Sequence, residues 1–209
     1  MSQSIGKLLS VSGEPIGPPV EDGLDLGSSL ANELVASVLS RANGFYAFES
    51  ALHVLPVAAH DGNHGIDSWN SSDLWRGNYQ GMAEGILFFA EDIFGGQFGI
   101  KDDAIYSFDP ETGEAAHLAS SVDEWVRAVL GDYEFVTGYP LAHQWQAQYG
   151  VLPIGERLVP KRPFVLGGDY TPENLVALEA AKGMRFRGDL AVQLRDLPDG
   201  ASIKFKIVD

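Results

Sequence analysis

The sequence predicts an α+β fold with an antiparallel sheet. Two segments with helical periodicity, near 29–43 and 120–130, flank a run of short apolar segments that are separated by turn residues. This order is typical of hairpin strands in an α+β domain, because a parallel sheet would need helices alternating with the strands. Hydrophobic residues make up 45% of the chain, which is enough to form a buried core.

The first predicted helix spans about 29–43. Serines suited to N-capping begin it, and Asn43 and Gly44 supply a C-terminal stop. Its apolar positions recur at helical spacing and are Leu30, Leu34, Val35, Val38 and Leu39. The preceding segment, 13–27, is rich in glycine, proline and acid, so we expect an irregular connection along the surface.

A short strand and a long loop are predicted after this helix. The strand lies around 52–55. Residues 58–82 hold glycine, asparagine, aspartate and two of the four tryptophans with weak periodicity. This composition predicts a loop with a short helix near 71–76.

Four further strands are predicted from Gly85 onward. The runs GILFFAED, FGIK, AIYSFD and EAAHLA are apolar and are separated by turn residues. The second helix follows over 120–130, with Ser121 as its N-cap and Glu124 at the capping-box position. Its buried stripe is predicted to comprise Val122, Trp125, Val126 and Val129.

The C-terminal part is predicted to mix helices and strands. A short helix follows Pro140, and the runs RPFVLGG and ENLVALEA are predicted to pair as strands across GGDYTP. The run GMRFRGDLAVQLRDLP is predicted to be a helix, although some of its apolar residues also alternate as in a strand. Its apolar face comprises Phe186, Leu190, Leu194 and Leu197. The last segment, ASIKFKIVD, predicts a final strand after a Pro-Asp-Gly turn.

The central segment FFAEDIFGGQFGIKDDAIYSFDPETGE combines glycines, aromatics and carboxylates but matches no ligand-binding loop. It lacks the glycine spacing of a dinucleotide loop, the Gly-Lys-Ser/Thr of a P-loop and the carboxylate spacing of an EF-hand. Turn chemistry explains it better. Asp92 is predicted to accept backbone N–H bonds at a tight turn through Gly95 and Gly96. Asp109 is predicted to cap a hairpin loop in which Gly113 takes the left-handed position.

Catalytic signatures are weak in this sequence. It contains no cysteine and no G-x-S-x-G motif, so nucleophilic catalysis has no recognisable centre. His60, His64 and Asp67 are chemically able to bind a divalent metal. However, the glycines among them argue against a helix, so the three side chains would have to converge by loop folding. We therefore expect no catalytic residue, no metal and no cofactor, and a metal-assisted hydrolase that uses these three residues is the alternative.

The long loop supplies the predicted partner-binding residues. Trp69, Trp75 and Tyr79 offer the large aromatic contact area that interfaces favour, and Asp67 and Asp73 add negative charge. The simpler alternative, that these aromatic side chains cover the sheet, stays open.

The formal charge of -15 is unevenly distributed. Residues 1–150 hold 5 Lys and Arg against 21 Asp and Glu, a net charge of -16, whereas residues 151–209 hold 9 against 8, a net charge of +1. Nucleic acid is a poor partner for the acidic part, because binding a phosphate backbone needs cations. The acidic surface suits solubility alone or a basic protein partner. Without cysteine, signal sequence or long apolar run, the chain is expected to be cytoplasmic and not to bind a membrane.

Several segments, taken in order, resemble the SUKH superfamily, which includes fungal cell-wall synthesis regulators and bacterial immunity proteins. The segments are NGFYAFESALHVLP, WNSSDLWRG, ILFFAEDIFGGQFGIK and IYSFDPETGEAAHLASSVDEWV. The resemblance covers about 29–130, and 135–209 is similar to the extension carried by one bacterial subgroup. It implies an α+β fold in which a curved antiparallel sheet is packed by helices on one side. It also implies a single SUKH-like domain over 1–209, with this extension packed on the core.

The resemblance also implies a non-enzymatic role. Bacterial members neutralise a cognate toxin by direct binding, so the expected partner is a toxin domain. The fungal members make a regulatory scaffold a further alternative. Features shared with the family have turn and core roles here and are matched by Gly95, Gly96, Trp125, Phe88 and Phe89.

Overall fold

The structure is a computed structural model that describes residues 2–197, and in this range six strands form one antiparallel sheet. The strands are β1 (Phe45–Ala47), β2 (Leu52–Val54), β3 (Leu87–Asp92), β4 (Gln97–Lys101), β5 (Ala104–Phe108) and β6 (Ala115–Ala119). Each strand pairs with the next along the chain, so the sheet is an open meander. The strand predicted around 52–55 and the four predicted apolar runs are confirmed, while β1 is an additional strand.

Seven α-helices lie in the same described range: α1 (Gln3–Ser10), α2 (Ser29–Leu34), α3 (Ile66–Trp69), α4 (Val122–Gly131), α5 (Tyr133–Thr137), α6 (Tyr139–Tyr149) and α7 (Ala180–Arg195). The sequence analysis did not predict α1, which Ser2 caps and which buries Ile5 and Leu8. The α-helix predicted at 29–43 is confirmed only in its first part, α2. After Leu34 the chain continues as a π-helical turn over Val35–Leu39. No helix of the described part is long and apolar enough to cross a lipid bilayer.

Helices α1, α2 and α4 pack on one side of the sheet. Trp125 of α4 contacts Phe89 and Phe98, with ring centroids 5.0 and 5.8 Å apart. The predicted stripe of α4 is fully buried, at 0% exposure for each of Val122, Trp125, Val126 and Val129. The α+β fold with an antiparallel sheet and helices on one side is therefore confirmed.

The segment between β2 and β3 covers the opposite face of the sheet. Phe98 points towards α4, so its neighbour Gln97 points the other way, and it accepts a 2.7 Å hydrogen bond from Trp69 Nε1. Trp75 packs on Phe88 with ring centroids 5.4 Å apart. The prediction of a helix near 71–76 is wrong. The helical turns are α3, which ends before this range, and the 3-10 turn Arg76–Tyr79, which begins at its last residue.

The C-terminal extension forms a second, two-stranded sheet from β7 (Glu156–Pro160) and β8 (Leu175–Glu179). The prediction that the run RPFVLGG pairs with β8 is wrong, because β7 is the partner of β8. Pro163 lacks an N–H group, and Gly167 takes a left-handed φ of 76°, so the run forms the 3-10 turn Phe164–Leu166 instead of a strand. The predicted final strand, 201–209, lies outside the described residues.

Helix α7 confirms the predicted helix but not its predicted buried face. Phe186 and Leu197 are 37% and 43% exposed, whereas Leu190 is buried. The buried positions are mostly small: Ala180, Ala181, Gly183, Met184, Arg187, Gly188, Leu190 and Ala191. A Cβ at Gly188 would contact the ring of Tyr79, so glycine allows α7 to lie directly on the loop that covers the sheet.

Two buried arginines join the extension to the main sheet. Arg157 of β7 is 1% exposed and places its Nε 2.9 Å from Glu91 Oε1 on β3. Arg187 of α7 is also 1% exposed and donates to the main-chain carbonyl of Phe94, just after β3. Each guanidinium reaches the end of β3 from a different element of the extension.

Glu91 is the centre of a buried charged network. His53 Nδ1 lies 3.0 Å from Glu91 Oε1, and Gln97 Nε2 donates to Oε2 at 3.2 Å. Burial alone would raise the pKa of Glu91, but Arg157 and the hydrogen bond from His53 outweigh it and lower the pKa to about 2. Burial lowers the pKa of His53 to about 4, so its imidazole is neutral near pH 7. The network therefore consists of one ion pair and one neutral histidine.

Candidate partner-binding cleft

The aromatic residues predicted to bind a partner do not lie on the surface. Trp69, Trp75 and Tyr79 are 1%, 0% and 0% exposed. They form a connected aromatic cluster against the sheet, in which neighbouring ring centroids lie 5.5 to 5.6 Å apart. The prediction of a partner surface is wrong for these three, and the alternative that they cover the sheet is correct. Asp67 and Asp73 are exposed.

The histidines predicted as metal ligands do not converge with Asp67. His60 Nε2 lies 3.5 Å from Asp61 Oδ2, whereas His64 Nε2 faces Glu179 Oε1 at 3.7 Å. Asp67 Oδ1 instead accepts the main-chain N–H of Ser68. Over residues 2–197, no three His, Cys, Asp or Glu side chains are arranged to hold a metal ion. The metal-assisted hydrolase therefore has no site at these residues.

The turn between β3 and β4 takes the form that its chemistry predicts. Asp92 Oδ1 accepts the main-chain N–H groups of Phe94 and Gly96, both at 2.8 Å. Gly95 has a left-handed φ of 76°, which favours glycine. Burial raises the pKa of Asp92 to about 7, although the two N–H groups oppose the shift. Asp92 thus holds the turn through its side-chain hydrogen bonds.

The loop between β5 and β6 is the predicted hairpin turn. Asp109 Oδ1 accepts the N–H of Glu111 at 2.7 Å, and Gly113 has a left-handed φ of 72°. This conformation turns the Glu111 side chain back into the protein, where the residue is only 5% exposed.

An open cleft of about 930 Å³ lies beside these two turns. Three separate parts of the chain form it: the ends of β3, β4 and β5, the α5–α6 hairpin, and the part of the extension that follows α6. Its lining includes Phe135, Phe164, Val165, Tyr170, Glu111 and Arg187. Its volume falls in the range of ordinary ligand and peptide pockets.

The rim of the cleft exposes large apolar side chains. Phe135 of α5 is 85% exposed, Tyr170 69% and Val165 44%. Tyr170 lies flat on Phe164, with ring centroids 4.0 Å apart and planes at 2°. The Phe164 ring in turn meets the edge of Phe94 at 5.5 Å. Exposed aromatic groups gathered at one cleft are typical of interaction sites, because they contribute little to the core.

The charge around the cleft is negative. Four carboxylate residues line it against one arginine: Asp92, Asp109, Glu111 and Glu134 against Arg187. The Arg187 guanidinium is already engaged by the carbonyls of Phe94 and Gly183. Burial, followed by the charges of Glu111 and Asp109, raises the pKa of Tyr170. The cleft therefore favours a cationic partner over an anionic one.

The cleft was not predicted from the sequence. Glu111 lies in the predicted hairpin loop DPETGE, and Phe135, Phe164 and Tyr170 were not among the predicted partner-binding residues. A signal was present at Phe135, because the residues four and three positions before it are Gly131 and Asp132, so it does not continue an apolar helical stripe. The stacking of Tyr170 on Phe164 depends on the looped course of 161–174 and leaves no sequence pattern.

Comparison with known proteins identifies the fold but no family. No protein-family model and no curated protein matches the chain. One solved structure, Atu4351 from Agrobacterium tumefaciens, is similar with a TM-score of 0.55 and 13% sequence identity, over 90% of this chain and 89% of that chain. The likeness extends over nearly the whole of both chains, so it includes most of the C-terminal extension as well as the main sheet.

Proposed function

We propose that this chain is a non-catalytic binding protein that neutralises a basic toxin domain by direct contact, as SUKH-type immunity proteins do. The resemblance of its ordered sequence segments to that superfamily supports the proposal. A second support is the surface, because an exposed apolar rim beside carboxylates is suited to a protein with apolar and cationic groups.

The observation that carries the proposal is the exposed aromatic rim of the cleft. Phe135 at 85% and Tyr170 at 69% exposure gain little from the fold, yet they stand beside the same cleft. Burying such aromatic side chains against a partner is what makes interface hot spots, each contributing about 2 kcal/mol or more. The rim thus supplies contact area, and the carboxylates supply preference for a basic partner.

Charge acts on the rate of association as well as on affinity. The chain has a formal charge of -15, which attracts a cationic domain over a distance of about 10 Å at 0.1 M salt. Fast capture is useful for neutralisation, because an active toxin must be bound before it acts. We place this event in the cytoplasm of the producing cell, where a chain without cysteine needs no oxidising environment.

Growth rescue tests the proposal. The product of the gene adjacent to this one is expressed in a bacterial host, alone and together with this chain. We expect the neighbour alone to arrest growth, and co-expression to restore growth and to yield a complex that co-purifies. A toxic neighbour that is neither bound nor rescued would overturn the proposal.

Matched variants connect rescue to the cleft. The rim variant combines Phe135→Ala with Tyr170→Ala and removes the rim. The control variant combines Val151→Ala with Ile154→Ala. It removes two side chains that are similarly exposed, at 85% and 66%, but do not line the cleft. The rim variant should weaken the purified complex by about 10-fold to 100-fold or more, and the control variant by less than about 3-fold. Equal effects of the two variants would remove the cleft from the binding surface.

A further inference from the structure

We infer that Glu111 is the anchor of the cleft and binds a guanidinium or ammonium group of the partner. This inference rests on the proposed function for the protein nature of the partner, and it adds the group that is recognised and the residue that recognises it.

Glu111 has an unused hydrogen-bond acceptor in a buried position. The residue lines the cleft and is 5% exposed. Its Oε2 accepts the main-chain N–H of Val165 at 2.8 Å, whereas its buried Oε1 has no hydrogen-bond partner. Buried carboxylate oxygens are normally paired, so an unpaired one at a cleft indicates a ligand that donates to it.

The charges around Glu111 favour a cationic donor. Arg187 is the one cation lining the cleft among the described residues, and its guanidinium is engaged by the carbonyls of Phe94 and Gly183. Burial raises the pKa of Glu111, the main-chain N–H groups of Val165 and Phe164 and the charge of Arg187 act against this shift, and Asp109 raises the pKa further. An added cation would offset both the burial and the charge of Asp109, whereas a neutral donor would offset only the burial, and less strongly.

The aromatic stack beside Glu111 favours a guanidinium in particular. Tyr170 is 69% exposed and lies flat on Phe164, so the face turned away from Phe164 is available. A planar guanidinium stacks on such a ring and donates at its edge to a carboxylate, which a compact ammonium does less well. An arginine side chain can therefore use Tyr170 and Glu111 together.

Access to Glu111 requires a small local movement. Oε1 is covered in the free protein, and the 3-10 turn Phe164–Leu166 holds the other oxygen through Val165. Rotation of the carboxylate, or a shift of this turn, exposes an oxygen to the cleft. Binding should therefore change the environment of the Val165 amide.

A peptide titration tests the inference without the toxin. The probes are Ac-Phe-Arg-Phe-NH2 and its neutral isostere Ac-Phe-Cit-Phe-NH2, in which citrulline replaces arginine, and the readout is the amide spectrum of the labelled protein. We expect the arginine peptide to shift the Glu111 and Val165 amides and to bind about 10-fold more tightly than the citrulline peptide. Equal binding of both peptides, or shifts confined to other parts of the protein, would overturn the inference.

Two charge-neutralising variants separate the anchor from general electrostatics. Glu111→Gln keeps an oxygen for the Val165 N–H but loses the charge, and Glu114→Gln removes the same charge from an exposed position of the same hairpin. Only Glu111→Gln should abolish the preference for arginine over citrulline. Loss of the preference in both variants, or in neither, contradicts the assignment.

A further variant keeps the test decisive if Glu111→Gln fails to fold. Tyr170→Leu alters a largely exposed side chain and should reduce the arginine preference by about 3-fold or more through loss of stacking. An unchanged preference in that variant would contradict the assignment. If the peptides fail while growth rescue succeeds, the anchor is wrong and the proposed function stands.

Discussion

Replacing Arg157 by Met should destabilise the fold by about 3–5 kcal/mol, because it leaves the Glu91 carboxylate buried without its cation. Both residues are almost fully buried, at 1% and 2% exposure, and their charged atoms lie 2.9 Å apart. Methionine retains much of the length of the side chain, so the loss reflects charge more than volume. A shift of the Glu91 pKa from about 2 back to its ordinary 4.5 corresponds to about 3 kcal/mol, which agrees with this range.

Urea denaturation at pH 7.5, followed by tryptophan fluorescence, measures this loss. Glu91→Gln should also destabilise the protein, because it leaves the Arg157 guanidinium unpaired. The double variant should be more stable than the sum of the two single effects predicts, by about 2 kcal/mol or more. Since the ion pair joins β7 to β3, the same experiment measures how strongly the extension is coupled to the main sheet.

The pH dependence provides a second check on the same pair. The pKa of Glu91 is lowered on folding, so its contribution to stability is present above its ordinary pKa of 4.5 and is lost as the pH falls towards 2. Arg157→Met should lack this contribution and should differ least from the wild type at low pH. A loss below about 1 kcal/mol at pH 7.5, or strictly additive single effects, would refute the reasoning.

Four other predictions concern single residues. Folding raises the pKa of Asp92 from 3.8 to about 7, so the wild-type protein loses stability as the pH rises through 7. The Asp92→Asn variant has no such pH dependence. The free energy of unfolding of Asp92→Asn relative to that of the wild type should therefore increase by about 1–2 kcal/mol between pH 5 and pH 8 in urea melts, a value reduced for partial exposure. His53 has its pKa lowered from 6.5 to about 4, so stability should fall by up to about 1.4 kcal/mol per pH unit on going from pH 6.5 to 4, and His53→Gln should remove this slope. Gly113→Ala should cost about 1–2 kcal/mol, because φ is 72° and the new Cβ would meet the Met82 sulfur. Gly131→Ala, at a helix position with open space, should stabilise the protein by about 0.5–1 kcal/mol in the same urea melts.

Sequence patterns predicted those parts of the structure whose causes are local. The caps and stripe of α4 are set within a dozen residues. The turns at Asp92 and Asp109 are each set within five residues, since each side chain bonds to main-chain groups of its own turn. The antiparallel meander followed, because short strands separated by turns pair with their neighbours.

Features that depend on distant contacts were missed or wrong. Trp69 and Trp75 lie in an irregular segment, and only the three-dimensional course of that segment shows that it folds onto the sheet. Arg157 is 66 residues from Glu91, and no periodicity indicates that an arginine of the extension will be buried beside it. The cleft combines three separate parts of the chain, so its residues have no common spacing.

Hydrogen exchange of this chain, alone and mixed with the product of the adjacent gene, tests directly whether the cleft is the surface that binds a basic partner. Protection in the complex should be concentrated in α5, in the Phe164–Leu166 turn and in the β5–β6 hairpin, with little change around the exposed Asp67 and Asp73. Protection centred on those two aspartates, or on the helical side of the sheet, with α5 and the Phe164–Leu166 turn unchanged, would contradict it.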